Sequence, residues 1–291
     1  MTAAEASPED FERFLARKSF IELSAADRAA ALLDAGTARM LLGPFDRLKS
    51  PWLPLQNITP QSDDGVVILR GRIDGAPAMI AAIESRFQGG SMGEVSGAKI
   101  AGALELTLQD HLRGVPTRPV ILFETGGVRL QEANLGLAVI AEIHAAIVAL
   151  RPHVPVVGVV AGLVGCFGGM SLAAGLCSHL IATPQARLGM NGPEVIEQEA
   201  GVAELDASDR RLIWSLIGGA QRAATGFVDV LVDDDADAIA AAVRAAFAAG
   251  VPAKVRVEEV EAYSARLAAY DPTQPADPVA LRRAWGEGDD H

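Results

Sequence analysis

Val120-Ile121-Leu122-Phe123-Glu124-Thr125-Gly126-Gly127-Val128-Arg129-Leu130-Gln131-Glu132 and Val156-Val157-Gly158-Val159-Val160-Ala161-Gly162-Leu163-Val164-Gly165-Cys166-Phe167-Gly168-Gly169-Met170-Ser171-Leu172-Ala173 follow one plan. In each, an apolar run reads as a buried strand, a Gly-Gly pair reads as a turn, and an Ala/Leu-rich segment reads as a helix. Glycine lets a backbone approach a ligand closely. A helix start leaves N–H groups unpaired and partially positive. Two such turns facing one another make a cradle for an oxyanion from main chain alone.

Working outward, residues 8–42 read as helical, with Phe11, Phe14 and Leu15 and then a helix after a Ser24 cap. Residues 43–62 hold Pro44, Pro51, Pro54 and Pro60 and read as an extended arm. Asp63-Asp64-Gly65 reads as a turn. Asp74-Gly75 predicts a hairpin joining the strands Val66–Arg72 and Ala78–Ile83. A glycine turn at 88–93 precedes a helix from Glu94 to Leu112, and a long helix is expected from Gln131 to Leu150. Asn191-Gly192-Pro193 opens a short helix, and further helices are expected at Ser208–Ile217, Asp237–Ala249 and Val260–Tyr270. The expected organisation is an N-terminal helical and extended arm (1–62), a main domain (63–270) and a flexible Pro- and Asp-rich tail (271–291). The repeating unit is β-β-α. It predicts a coiled stack of small sheets with helices outside.

The net charge of −12 argues against a nucleic-acid surface, which would be basic. An acidic N-terminus without a basic-then-apolar order is unlike a signal peptide. Cys166 and Cys177 form no CxxC pair and read as buried, reduced thiols, which suits the cytoplasm. His111, His144, His153 and His179 show no ligand spacing, so no metal is expected. From Pro152 to Ala186 no charged residue occurs, but Pro155 and repeated glycines interrupt the run. It reads as strand, turn and buried helix, with no membrane span. GxGxxG, P-loop and HExxH motifs are absent.

Gly89-Gly90-Ser91-Met92-Gly93 formally matches the GxSxG of a serine hydrolase, but the surrounding β-β-α pattern is wrong for that fold. Arg129 has two readings, one orienting the loop or meeting an anion, the other pairing with Glu132. Lys99 reads as part of a solvated helix face, and Glu194 and Glu197 as helix surface.

The order Thr125-Gly126-Gly127-Val128-Arg129-Leu130-Gln131-Glu132, Gly168-Gly169, and Asn191-Gly192-Pro193-Glu194-Val195-Ile196-Glu197-Gln198 resembles the carboxyltransferase branch of the crotonase superfamily. Gln88 to Gly93 with Lys99, and Gly226-Phe227-Val228-Asp229, fit the same branch. Within it the chain is most similar to beta subunits of biotin-independent malonate decarboxylases. Ser19 to Ala25 and Leu33 to Thr37 look like their N-terminal signature, and the zinc ribbon of acetyl-CoA carboxylase beta subunits is missing.

The resemblance implies a crotonase/ClpP-like superhelix and a heteromeric lyase. A related gamma subunit and an acyl carrier subunit would be partners. Malonyl thioester on the carrier's phosphoribosyl-dephospho-CoA arm, or a CoA thioester, would be the ligand, and no cofactor would be bound covalently by this chain. Acetyl thioester and CO2 would be the products. The resemblance assigns the enolate oxyanion hole to amides at Gly126, Gly127, Gly168 and Gly169. It places Gly89, Gly90, Gly93, Val128, Arg129, Gly165, Asn191 and Pro193 around the substrate and carrier arm. The alternatives are a carboxyltransferase beta subunit of a biotin-dependent decarboxylase or acyl-CoA carboxylase, and a mainly scaffolding subunit. A lone hydratase or isomerase would need an acid–base pair, and none follows either turn.

Overall fold

In the computed structural model, which describes residues 17–60, 65–271, 273 and 277–285, the chain is built on one seven-stranded sheet. In chain order the elements are α1 (Ala25–Ala31), β1 (Arg39–Leu42), β2 (Val66–Ile73), β3 (Ala76–Ile83), α2 (Glu94–Leu112), β4 (Arg118–Phe123), α3 (Asn134–Leu150) and β5 (Val157–Val160). They continue with α4 (Gly169–Leu176), β6 (His179–Ala182), α5 (Pro193–Ala200), α6 (Arg210–Ile217), α7 (Gly219–Ala224), β7 (Val230–Leu231), α8 (Ala236–Ala249), α9 (Val260–Ala269) and α10 (Pro278–Ala284).

The strands lie in sequence order. β1, β2 and β3 are antiparallel, and β3 through β7 are parallel. Asp74 and Gly75 both take positive φ, 47° and 73°, which matches the right-handed twist of the β2–β3 hairpin. The central strands are covered on both faces, which is why they read as unbroken apolar runs. Alternate residues serve opposite cores. Ile121 and Phe123 face α2, α3 and α4, while Val120 and Leu122 face α1 and α8.

The second β element of each unit is short. It survives as single bridges, Met92 with Val128, Thr125 with Cys166, and Cys166 with Leu188, each parallel. Each bridge residue sits between a long strand and the helix that follows it. Four β-β-α units result, and they coil side by side as expected for a crotonase-type superhelix.

Several local expectations change. Helix in residues 25–42 is confined to α1, where the Ser24 hydroxyl accepts the Asp27 N–H at 3.2 Å. Arg39–Leu42 is instead drawn onto the sheet edge by pairing with β2. The expected helical positions Phe11, Phe14 and Leu15, and the Asp63-Asp64 turn, lie outside the described residues. The long helix starts at Asn134, because Ala133 takes φ 49° after a 3-10 turn at Leu130–Glu132. Within the segment read as a flexible tail, α10 docks on α7. Gln221 Nε2 donates to Pro278 O at 3.1 Å, Arg282 Nε donates to Gln221 Oε1 at 2.6 Å, and Trp285 is buried. The charge-free run is divided among β5, α4 and β6, and no helix of the described residues is long and apolar enough to cross a membrane.

The α2–α3 contact depends on Gly97, where a Cβ would overlap the Val139 side chain. Overfilling a tight contact costs about 1–3 kcal/mol. Gly97→Leu is therefore expected to lower unfolding free energy by about that much in urea titration, with Gly102→Leu, which meets open space on the same helix, near neutral.

Candidate active site

β4 and β5 are neighbouring parallel strands, with Phe123 paired to Val160 at their ends. The turns that follow them must leave by the same edge of the sheet. Thr125 ties the two together, since its N–H donates to Gly165 O at 2.8 Å and its carbonyl accepts Phe167 N–H at 3.1 Å. The two bends then touch. A Cβ built on Gly168 would lie 3.4 Å from Gly127 Cα and 3.9 Å from Val128 N. One built on Gly127 would lie 3.5 Å from Gly168 Cα and 3.3 Å from Phe167 O. Gly127 and Gly168 take φ 108° and 61°, which L side chains disfavour. No side chain plugs the contact.

The amides at this junction divide into two groups. Gly126 N–H donates to Gly89 O at 2.9 Å, Gly127 N–H to Thr125 Oγ1 at 3.0 Å, and Gly168 N–H to Met190 O at 2.8 Å. These three expected donors are committed to holding the bends. The amides of Val128 and Gly169 have no acceptor among the described residues. Gly169 is the first residue of α4, so its N–H is one of the orphan donors of a helix start. Val128 follows Gly127 by one residue, and it entered the sequence reading as a binding residue only.

Other expected site residues separate by depth. Gly89 and Asn191 are exposed at the rim, and Asn191 follows Met190, whose carbonyl holds Gly168. Pro193 is buried at the first position of α5. Gly90, Gly93 and Gly165 are buried and serve close approach. A Cβ on Gly90 would overlap Glu124 O, one on Gly165 would overlap Arg187 O, and one on Gly93 would come within 2.5 Å of the Glu132 carboxylate.

Arg129 makes the ion pair, and through it orients the loop. Arg129 is 1 % exposed and meets Glu132 at 2.8 Å. Its Nη2 donates to Ser91 O at 2.9 Å, and its main-chain N–H donates to Met92 O at 2.8 Å. Glu132 also accepts the Glu94 N–H at 2.6 Å, at the start of α2. This pair staples the first bend to α2. Ser91, the GxSxG serine, serves the same staple. A second buried pair, Arg28 with Glu124, joins α1 to the residue before Thr125, and Arg28 Nε donates to Phe20 O at 2.9 Å.

Lys99, expected on a solvated face, is buried, and its ammonium donates to Gly43 O and Val66 O at 3.1 Å each. Glu197, expected at the surface, accepts the Ala207 N–H at 2.6 Å. His144, read as an ordinary histidine, lies beside the site with Nε2 2.8 Å from Gly169 O. Nothing in its sequence context marks that role, because α3 brings it there only in three dimensions. No group of His, Cys, Asp or Glu among the described residues has the arrangement of a metal site.

Cys166 and Cys177 are free and fully buried. Burial raises the Cys166 thiol well above its usual range, and the neighbouring Cys177 adds to this. Burial pushes Cys177 up to about 12. A thiol so raised is a poor nucleophile.

The chain matches the family model described as a carboxyl transferase domain over residues 32–284. It is 42% identical to the malonyl-S-ACP:biotin-protein carboxyltransferase MADC of Malonomonas rubra, over 75% of this chain and 71% of that one. A chain of the Pseudomonas malonate decarboxylase hetero-tetramer in complex with malonate is 60% identical, with TM-score 0.88, covering 94% of this chain and all of that one. A chain of the Pseudomonas malonate decarboxylase hetero-dimer is 56% identical, with TM-score 0.74, covering 88% and 98%. The transcarboxylase 12S chain is 27% identical, with TM-score 0.62, covering 80% of this chain and 41% of that one.

Breaking one partner of a buried ion pair costs about 3–5 kcal/mol. Arg129→Met is expected to destabilise the chain by about that much in urea titration, and adding Glu132→Leu to recover part of the loss. Neither cysteine is expected to react with a thiol reagent at pH 8 until the chain unfolds. Because Cys177 has a folded pKa above its unfolded value of 9.0, stability is expected to fall as pH rises from 9 towards 12.

Proposed function

This chain belongs to the carboxyl transferase family, and on that premise we propose that it is the beta subunit of a malonate decarboxylase. It acts with a related gamma subunit and an acyl carrier subunit on malonyl thioester. The observation that carries the mechanism is the pair of amides, Val128 and Gly169, left without acceptors where the two glycine bends meet. Identity of 60% to a decarboxylase subunit along 94% of the chain supports the substrate.

In the reaction the bond between the malonyl α-carbon and its carboxyl carbon breaks, and CO2 leaves. The bonding pair moves into the α-carbon–carbonyl bond and places negative charge on the thioester oxygen. The Val128 and Gly169 N–H groups stabilise that oxygen. The resulting enolate takes a proton at the α-carbon and becomes an acetyl thioester. One such donor is worth about 2.7–4 kcal/mol, because it is already oriented when charge develops. Gly126, Gly127 and Gly168 act by setting the bends. Gly89, Asn191 and Pro193 line the approach of the carrier's phosphoribosyl-dephospho-CoA arm, and Gly90, Gly93, Arg129 and Gly165 support it from beneath. The catalytic body is residues 63–270, with α1 and β1 of the preceding segment built onto its sheet. Free, buried thiols are consistent with a cytoplasmic setting.

The decisive experiment exploits the position of Gly169. Proline fits the first position of a helix and replaces the amide hydrogen with a ring carbon. Alanine adds a comparable Cβ, which must displace Ile140 in either variant, but keeps the hydrogen. In the assembled complex, CO2 release from malonyl-loaded carrier is expected to be about 10²–10³-fold slower for Gly169→Pro than for Gly169→Ala. Equal rates would remove Gly169 from the oxyanion hole. Turnover that survives both substitutions with assembly intact would favour a scaffolding role.

A second reading has a specific observation behind it, since the 42% identical relative is named for transfer to a biotin protein. Avidin distinguishes the two. Turnover of the assembled complex is expected to be insensitive to avidin, and inhibition would transfer the chain to the biotin-dependent branch.

A further inference from the structure

Beside α4, and adjoining the glycine junction, lies a cavity of about 580 Å³. That size lies within the range of small-molecule sites. Its wall takes in Ser171, Gly189, Met190 and His144, which bonds Gly169 O, but none of Gly126, Gly127, Val128, Gly168 or Gly169 itself. The greater part of the wall is apolar, supplied by α4, by the Leu188–Met190 stretch and by α9. Two arginines, Arg222 and Arg256, stand in it.

These arginines differ. Arg256 is paired with Asp229, and it donates to Cys177 O at 2.8 Å. Arg222 has no carboxylate partner among the described residues. Its Nε donates to Leu188 O at 2.9 Å, and neither terminal nitrogen has an acceptor among those residues. The other arginines drawn into the protein at Arg28 and Arg129 each meet a glutamate. Burial lowers the proton affinity of Arg222 from its ordinary value, with no acid opposing the effect. A guanidinium still does not give up its proton under ordinary conditions. Its terminal N–H groups are therefore available to an acceptor from outside the chain. The side chain is also held in place. Its guanidinium lies 5.6 Å over the Phe227 ring, and Phe227 stacks on Tyr263 at 5.3 Å.

We propose that this cavity binds an aliphatic carboxylate, with the Arg222 guanidinium on the carboxylate and the hydrocarbon chain against the walls of α4 and α9. A planar guanidinium accommodates two carboxylate oxygens at once, and the apolar lining suits a chain of methylenes. The proposal does not depend on the decarboxylase reading. It concerns a neighbouring cavity and is tested by binding alone.

The test is calorimetric titration of the full chain with butyrate, hexanoate and octanoate, with inorganic phosphate as a second anion. Affinity is expected to rise about fourfold per buried methylene. Arg222→Gln is expected to weaken octanoate binding at least tenfold. Gly175→Leu provides a second variant, because Gly175 lies on the cavity wall and a Cβ there meets open space. It is expected to abolish octanoate binding while leaving the melting temperature unchanged or raised, since leucine favours helix over glycine. Octanoate affinity unchanged in either variant would overturn the proposal. So would the absence of octanoate binding to the natural chain, affinity independent of chain length, or phosphate binding as tightly as octanoate. Should Arg222→Gln fail to fold, the Gly175→Leu result decides.

Discussion

Main chain meets main chain where Gly127 lies against Gly168. A side chain on either residue would demand a disfavoured φ and fill the space the bends share. The site's geometry depends on that contact. Three amides at the junction are used to hold it, and two remain. The proposed oxyanion hole gains from being rigid before the substrate arrives, because its dipoles need not reorganise during the reaction. Backbone is well suited to that role, since its donors cannot rotate away.

The sheet brings the bends together. Parallel neighbours β4 and β5 end in register, so the chain emerges twice at the same edge. The short second β elements then lock successive turns side by side through single bridges. Coiling of the β-β-α units and formation of the site are therefore one event. The helix of each unit starts beside its turn, which brings the orphan N–H of Gly169 to the junction.

Buried charge surrounds this uncharged centre. Arg129 with Glu132 and Arg28 with Glu124 lie directly behind the first bend. Burying such pairs costs desolvation, and their value lies in directional hydrogen bonds more than in net stability. Arg129 and Glu132 reach Ser91 and the start of α2, while Arg28 reaches the chain before α1. Each pair thus fixes one side of the bend to a different helix. Arg222, half-buried with no acceptor for its terminal nitrogens among the described residues, stands apart from this pattern.

Much of the fold was legible in the chain itself. Asp74-Gly75 specified a hairpin, Ser24 a helix start, and Pro193 the first residue of a helix, because each depends on local backbone preference. The Gly-Gly pairs marked the bends for the same reason. Only the tertiary structure shows which amides are left without acceptors. Gly126, Gly127 and Gly168 carry N–H groups as good as those of Val128 and Gly169, and only long-range acceptors such as Gly89 O and Met190 O distinguish most of them. Lys99 likewise looks like a surface charge until packing encloses it. Local sequence determined where the chain turns, since φ and capping act within a few residues. Which polar groups were consumed and which were left for chemistry was decided by folding, because a hydrogen-bond partner far along the chain leaves no mark on the residue it satisfies.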